Sequence, residues 1–276
     1  MAQSSYYCKH ITKRSVFIWP WGGYDNIYGV DIGQTEQGGS ALHAALLEAL
    51  GTAIVSGRLA TGHVLTLDGV SADYRVSRSV AREVIRVLES MGMAASRRRV
   101  GITIQAAERW NVFDPMLIRW RLDCGDRGAQ LISLSELRRG FEPAAAALAA
   151  RRADPHQCRT LAAAVSDMVV HGRSGDLQEY LVADKVFHRT LLAASGNEMF
   201  RALADIVDEV LAGRTQHQLM PERPNPAAIE LHDQVARAIR LRDEDAAERA
   251  MRAIIDEAAG AVSDAERVWP TPTVGG

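Results

Sequence analysis

From position 41 the chain alternates apolar and polar residues with the period of an α-helix. Leu42, Leu46, Leu47, Leu50 and Ile54 form one stripe, which stops at Gly57, a residue suited to a helix C′ position. A short second helix is predicted around Ser71 to Tyr74. Ser77 then offers an N-cap for a third helix from Arg78 to Met91, closed by Gly92. In that third helix Val80, Val84, Val87, Leu88 and Met91 share one face, while Arg78, Arg82 and Arg86 recur every fourth residue on another. Beyond Gly92, two short strands are expected around the basic turn Arg97-Arg98-Arg99. Three helices with a tight turn before the third make a helix-turn-helix, and the hairpin after them makes a small β-wing.

After the wing no segment alternates with period two. Helical stretches follow one another, separated by turn signals at Asp154-Pro155, Gly172 to Gly175, Gly196-Asn197, Pro221 to Pro226 and Asp243. The pattern predicts a mostly α protein divided into a tail at 1–39, a winged helix-turn-helix at 40–106, a linker and connecting helix at 107–130, an all-α bundle of six or seven helices at 131–266, and a tail at 267–276. The 276 residues, 47% of them hydrophobic, suffice for two cores. Nothing approaches the ~18 apolar residues of a membrane span, and Val16 to Trp21 is interrupted by Pro20. Cys8, Cys124 and Cys158 lack the spacing of a disulfide framework or zinc knuckle. A soluble protein of the reducing cytoplasm, with no membrane partner, is expected.

Charge sharpens this picture. The formal net charge is −2, yet Arg75, Arg78, Arg82, Arg86, Arg97, Arg98 and Arg99 face only Asp73, Glu83 and Glu89 between Ser71 and Ile104. An arginine stripe alone is ordinarily a solvated helix face. Joined to a preceding turn and a basic hairpin it is the footprint of double-stranded DNA, because guanidinium suits both phosphate and guanine edges.

Leu42 to Ile104, with Val76-Ser77-Arg78-Ser79-Val80-Ala81-Arg82-Glu83 and the wing Arg98-Arg99-Val100-Gly101-Ile102-Thr103-Ile104, resembles the DNA-binding domain of the GntR family of bacterial regulators. The resemblance implies that Arg78 and Arg82 meet bases or phosphates, that Ser77 bonds a phosphate, and that Arg97, Arg98, Arg99 and Gly101 approach the minor groove or backbone. Asp68 departs from the pattern, standing where many members carry Arg or Asn. Glu136-Leu137-Arg138-Arg139-Gly140-Phe141-Glu142-Pro143, Asp184-Lys185-Val186-Phe187-His188 and Leu231-His232 resemble the effector-binding domain of the FadR-type, or FCD, branch. That branch implies a homodimer, operator DNA and a small-molecule effector as partners, and no enzymatic activity.

Asp184 and His188, four apart on a helix, project from one face and suit either a helix-surface hydrogen bond or a shared ligand. In the FCD branch such a pair is completed by two further histidines. His232 matches the first, whereas Ile254 occupies the place of the last. A divalent zinc, manganese or nickel ion on Asp184, His188 and His232, completed by water and effector oxygens, and a metal-free polar pocket are therefore both open. His217 is read as an exposed histidine rather than a ligand, and Asn197 as a helix cap. Arg138 either bridges to a neighbouring acid or forks an effector carboxylate. Trp110-Asn111, Asp114, Trp120 and Glu142-Pro143 add a likeness, within the branch, to repressors of galactonate utilisation. Arg138, Asp184, His188 and His232 would then bind a small carboxylate such as galactonate, with another organic acid or acyl ligand as the alternative. A metal-dependent hydrolase or lyase would need a nucleophile with an adjacent base, and it would have no use for the arginine stripe and wing.

Overall fold

A computed structural model describes residues 39–124, 127–217 and 224–268, with 261–268 as helix backbone alone. The expected tail at 1–39, apart from Gly39, lies outside the described residues, as do 269–276. The chain divides into two compact units, the first ending at Asn111 and the second beginning at Val112.

The first unit contains α1 (Gly39–Val55), β1 (Val64–Leu65), α2 (Leu67–Asp73), α3 (Arg78–Ser90), β2 (Ala94–Arg97) and β3 (Gly101–Ile104). The apolar stripes meet inside: Leu46 and Leu50 of α1 and Val84 and Leu88 of α3 are fully buried, each burial stabilising by roughly 1.5–3 kcal/mol. Helix α2 begins earlier than the apolar pattern indicates, because the Thr66 hydroxyl caps it by accepting from the Gly69 amide. The wing is a three-stranded antiparallel sheet in the order β1-β3-β2, with Leu65 opposite Ile102 and Ala95 opposite Thr103. Strand β1 has two residues, too few for any visible alternation. Gly101, at φ 115°, lets β1 pair closely, since a Cβ there would lie 2.7 Å from the Leu65 carbonyl oxygen.

The second unit is helical: α4 (Pro115–Asp123), α5 (Arg127–Arg152), α6 (Pro155–Ser174), α7 (Leu177–Ala194), α8 (Glu198–Ala202), α9 (Ala204–Gln216), α10 (Pro226–Leu241) and α11 (Glu244–Val268). Helix α5 packs on α7, α10 and α11, and α7 also lies against α6 and α9. The core runs from Phe141 and the alanines 145, 146, 149 and 150 of α5 to Phe187 and Leu191 of α7, Val235 of α10 and Met251 of α11. Small residues on α5 let its neighbours approach closely. The stretch 107–130, expected as a linker and connecting helix, is shared between the two units. Ala107 to Asn111 belong to the first unit, and α4 buries Ile118 and Leu122 against Leu131, Leu134, Ile206 and Val210. Apolar burial, with Trp120 fully enclosed, makes α4 part of the helical unit.

Candidate functional site

On the first unit the polar face of α3 stands in solvent. Ser77 caps the helix, its hydroxyl accepting from the Val80 amide at 3.2 Å, and Arg78 and Arg82 are exposed on the turns that follow. Arg97, Arg98 and Arg99 are exposed at the wing tip. Glu89 ties helix to wing, its Oε1 accepting from the Ser96 amide at 2.6 Å. Asp68, in the first turn of α2, lies with Oδ1 3.0 Å from the Arg78 Nε, so it holds the first arginine of α3.

In the second unit α5, α7 and α10 bring charged and imidazole side chains into the core. Arg138 and Glu142, one turn apart on α5, form a buried pair with Nε to Oε1 at 2.5 Å. The other Glu142 oxygen, Oε2, is 2.7 Å from the His188 Nδ1. A carboxylate with lone pairs only must accept here, so Nδ1 carries the proton and Nε2 of a neutral His188 presents its lone pair. The same logic fixes His232 on α10, whose Nδ1 lies 2.7 Å from the Ala228 carbonyl oxygen. Both Nε2 atoms turn toward Asp184 Oδ1, at 3.4 Å from His188 and 3.3 Å from His232. These approaches lack hydrogen-bond geometry, so all three atoms are buried without a hydrogen-bond partner. Three such donors within 4.8 Å of one another fit a divalent cation, with Glu142 and the Ala228 carbonyl as the outer hydrogen bonds that orient the imidazoles.

Electrostatics in the empty site follows from this layout. Burial alone would raise the Glu142 carboxyl, but Arg138 and His188 hold it down to about 2. Burial would lower His188, yet Glu142 and Asp184 raise it to about 9. Asp184 is likewise driven well below the carboxylate range, its desolvation outweighed by the two histidines. A cation bound here would take the place of the proton that His188 otherwise holds.

The cavity is lined by Arg138, Tyr180, Arg214 and Ile254 as well as the three donors, and it leaves about 30 Å³ for a water-sized species. Ile254, which the family likeness places where a last histidine is expected, contributes an apolar wall. His217 is elsewhere and is half-buried rather than exposed, its Nε2 3.2 Å from Asp123 Oδ1. Asn197 caps α8, accepting from the Met199 amide at 2.9 Å. Sequence reasoning did not single out Glu142, Tyr180 or Arg214 as site residues. Spacing held the signal: Glu142 lies one turn from Arg138, Tyr180 one turn from Asp184, and Arg214 one turn beyond the core residues Val210 and Leu211.

A solvent-facing basic helix and wing, followed by a helical unit built around an enclosed polar cavity, define a DNA-binding regulator controlled by a small molecule. Residues 42–104 match the family model of bacterial regulatory proteins, gntR family, and residues 133–257 match the FCD domain. The chain belongs to the gntR family, with an FCD domain as its second unit; it is a transcription regulator and not an enzyme. It is 28% identical to the galactonate operon transcriptional repressor of Escherichia coli K12 over 75% of this chain and 90% of that protein. It is 27% identical to the HTH-type transcriptional regulator LutR of Bacillus subtilis over 57% of this chain and 70% of that one. The solved structure of Lar, which controls expression of the Listeria monocytogenes agr system, shares the fold at 16% identity and a TM-score of 0.52, over 84% of this chain and 99% of that one. No described helix is long and apolar enough to cross a membrane.

Proposed function

We propose that this regulator represses a carbohydrate-acid catabolic operon, binding as a homodimer to an inverted repeat and responding to a small hydroxylated carboxylate such as galactonate. The observation that carries the reading is the convergence of Asp184 Oδ1, His188 Nε2 and His232 Nε2, buried and unpartnered, in a cavity that Arg138 also lines. Zinc, manganese or nickel held by these three residues would supply a Lewis-acidic point that hydroxy-acid oxygens complete. Glu142 and the Ala228 carbonyl keep the imidazole lone pairs aimed inward, and Asp184 neutralises part of the cation's charge. The similarity to the galactonate operon repressor supports an aldonate among such acids. A charged cavity favours a polar acid over an acyl chain.

At about 30 Å³ the space holds an ion and water, not a six-carbon acid. Entry of the effector therefore requires the walls from α5, α7, α9, α10 and α11 to move apart. A ligand that favours the opened arrangement shifts the population toward it, and this is the step through which it alters DNA affinity. On the DNA side, Ser77, Arg78 and Arg82 read one half-site, while Arg97, Arg98, Arg99 and the backbone at Gly101 engage the adjacent phosphates or minor groove.

Calorimetric titration of galactonate into the full chain, with and without manganese or zinc, tests the effector assignment. Binding that tightens with metal, and release of labelled operator over the same concentration range, are expected. Loss of neither in an Arg138→Ala, His188→Ala double variant would reject it. Sedimentation showing a monomer at micromolar concentration, with an isolated half-site bound as tightly as the repeat, would reject the dimeric reading.

A further inference from the structure

Helix α9 carries a charge on its buried side. Val207, Val210 and Leu211 pack into the core, and Arg214 follows one turn later, reaching the same cavity as Arg138, Asp184, His188 and His232. Its Nε is shut off from solvent and has no hydrogen-bond partner. The two cavity arginines differ in this respect, because the Nε of Arg138 is bonded to Glu142 and that pair is already neutral. Burial, reinforced by the Arg138 guanidinium, pulls the Arg214 pKa below its ordinary value, even though Asp184 and Glu257 push it back up. Charge balance agrees. With a divalent ion bound and His188 neutral, Arg138, Arg214 and the ion would face the carboxylates of Glu142, Asp184 and Glu257, which would leave one positive charge for a monocarboxylate to balance.

We infer that Arg214 is the residue that selects an anionic effector: its guanidinium fork receives a carboxylate oxygen while the ligand's hydroxyl groups lie toward Asp184, His188 and His232. Arg138 then acts as a positioning residue, holding Glu142 and through it the His188 ring. This inference rests on reading the cavity as the effector pocket. It adds that the anionic charge of the ligand is sensed from α9, at a position that the Asp and His spacing does not reveal. The planar fork of arginine, with its donors in fixed directions, suits a carboxylate better than the point charge of lysine.

The test uses the full-length protein and its Arg214→Met and Arg214→Lys variants in the presence of manganese. Galactonate, gluconate and lactate serve as anionic probes, and galactitol and galactonamide as neutral ones. The carboxylate that binds the wild type should bind Arg214→Met about 10- to 100-fold more weakly, with Arg214→Lys between them. Neutral probes should bind wild type and Arg214→Met within about twofold of each other, because they make no charge-assisted bond to lose. Manganese alone should bind Arg214→Met at least as tightly as wild type, since a like charge has been removed. Thermal melts of the empty proteins check folding, and Arg214→Lys keeps the test open if Arg214→Met fails to fold. Undiminished carboxylate binding by both variants overturns the inference, as does parallel loss of manganese binding, which would mark a structural role. If gluconate or lactate binds through Arg214 and galactonate does not, the galactonate assignment fails and this inference stands. If galactonate binds independently of Arg214, the reverse holds. Absence of binding by every carboxylate overturns both.

Discussion

In the winged unit Arg78, Arg82, Arg97, Arg98 and Arg99 stand in solvent, whereas in the helical unit Arg138 is fully enclosed and Arg214 keeps its Nε away from water. The same side chain serves opposite ends under these two conditions. An exposed guanidinium is hydrated, weakly tied to the fold and free to exchange water and counterions for phosphate. A buried one is committed before any ligand arrives. It must find a carboxylate in the protein, as Arg138 does in Glu142, or wait for one from outside. Removing charge should therefore alter DNA affinity with little effect on folding in the first unit, and alter folding and ligand response together in the second.

The largest effect expected from this contrast is Glu142→Ala, which strands Arg138 and frees the His188 ring. Breaking such a buried pair costs about 3–5 kcal/mol, read as a lower denaturant midpoint for the helical unit. A midpoint within error of wild type would show that the pair is hydrated in solution. Next in size, Arg78→Ala with Arg82→Ala should weaken operator binding by about 1–3 kcal/mol per arginine and relax base preference. Melting of the double variant should stay close to wild type, and undiminished operator affinity would remove α3 from its assigned role.

Acidity separates the units further. With metal removed by a chelator, the folded His188 value of about 9 lies above the ordinary 6.5. The stabilisation from its charged form is thus fully present below about 6.5 and is lost as pH rises through about 9. Denaturant titrations of the empty protein across that window should show a decline on the order of 3 kcal/mol. His188→Gln should flatten it. Bound metal should flatten it as well, since the ion replaces the proton. The smallest effect is expected at the exposed Asp68–Arg78 pair, where Asp68→Asn should leave stability within about 1 kcal/mol of wild type. Its readout is on DNA: loss of the acid removes repulsion of phosphate, so binding to random DNA should tighten and the preference for operator should narrow. An unchanged ratio of the two affinities would show that Asp68 has no part in discrimination.

The amphipathic stripes of α1 and α3, the Ser77 cap and the basic wing were legible in the sequence because each is set by neighbours within a few residues. Helical periodicity likewise placed Asp184 and His188 on one face, and family likeness added His232 and Arg138. Other features were not legible. The start of α2 depends on a Thr66 cap, and β1 exists only because β3 pairs with it. The incorporation of α4 into the helical unit depends on Ile206 and Val210, far along the chain.

Sequence by itself determined a winged helix-turn-helix followed by a helical domain, since local patterning fixes most helices and which face of each is oily, and family likeness marked that domain as effector-binding. Only the tertiary structure decided which charges are spent and which are available. It gave Arg138 to Glu142, turned the Nε2 lone pairs of His188 and His232 toward Asp184, and brought Arg214 from α9 into the same cavity with its Nε unbonded. The physical reason is that desolvation and ion pairing depend on distance through space. The residues that meet in this cavity are drawn from α5, α7, α9, α10 and α11; spacing pairs residues within one helix, but nothing in the separation of the helices along the chain records that they meet.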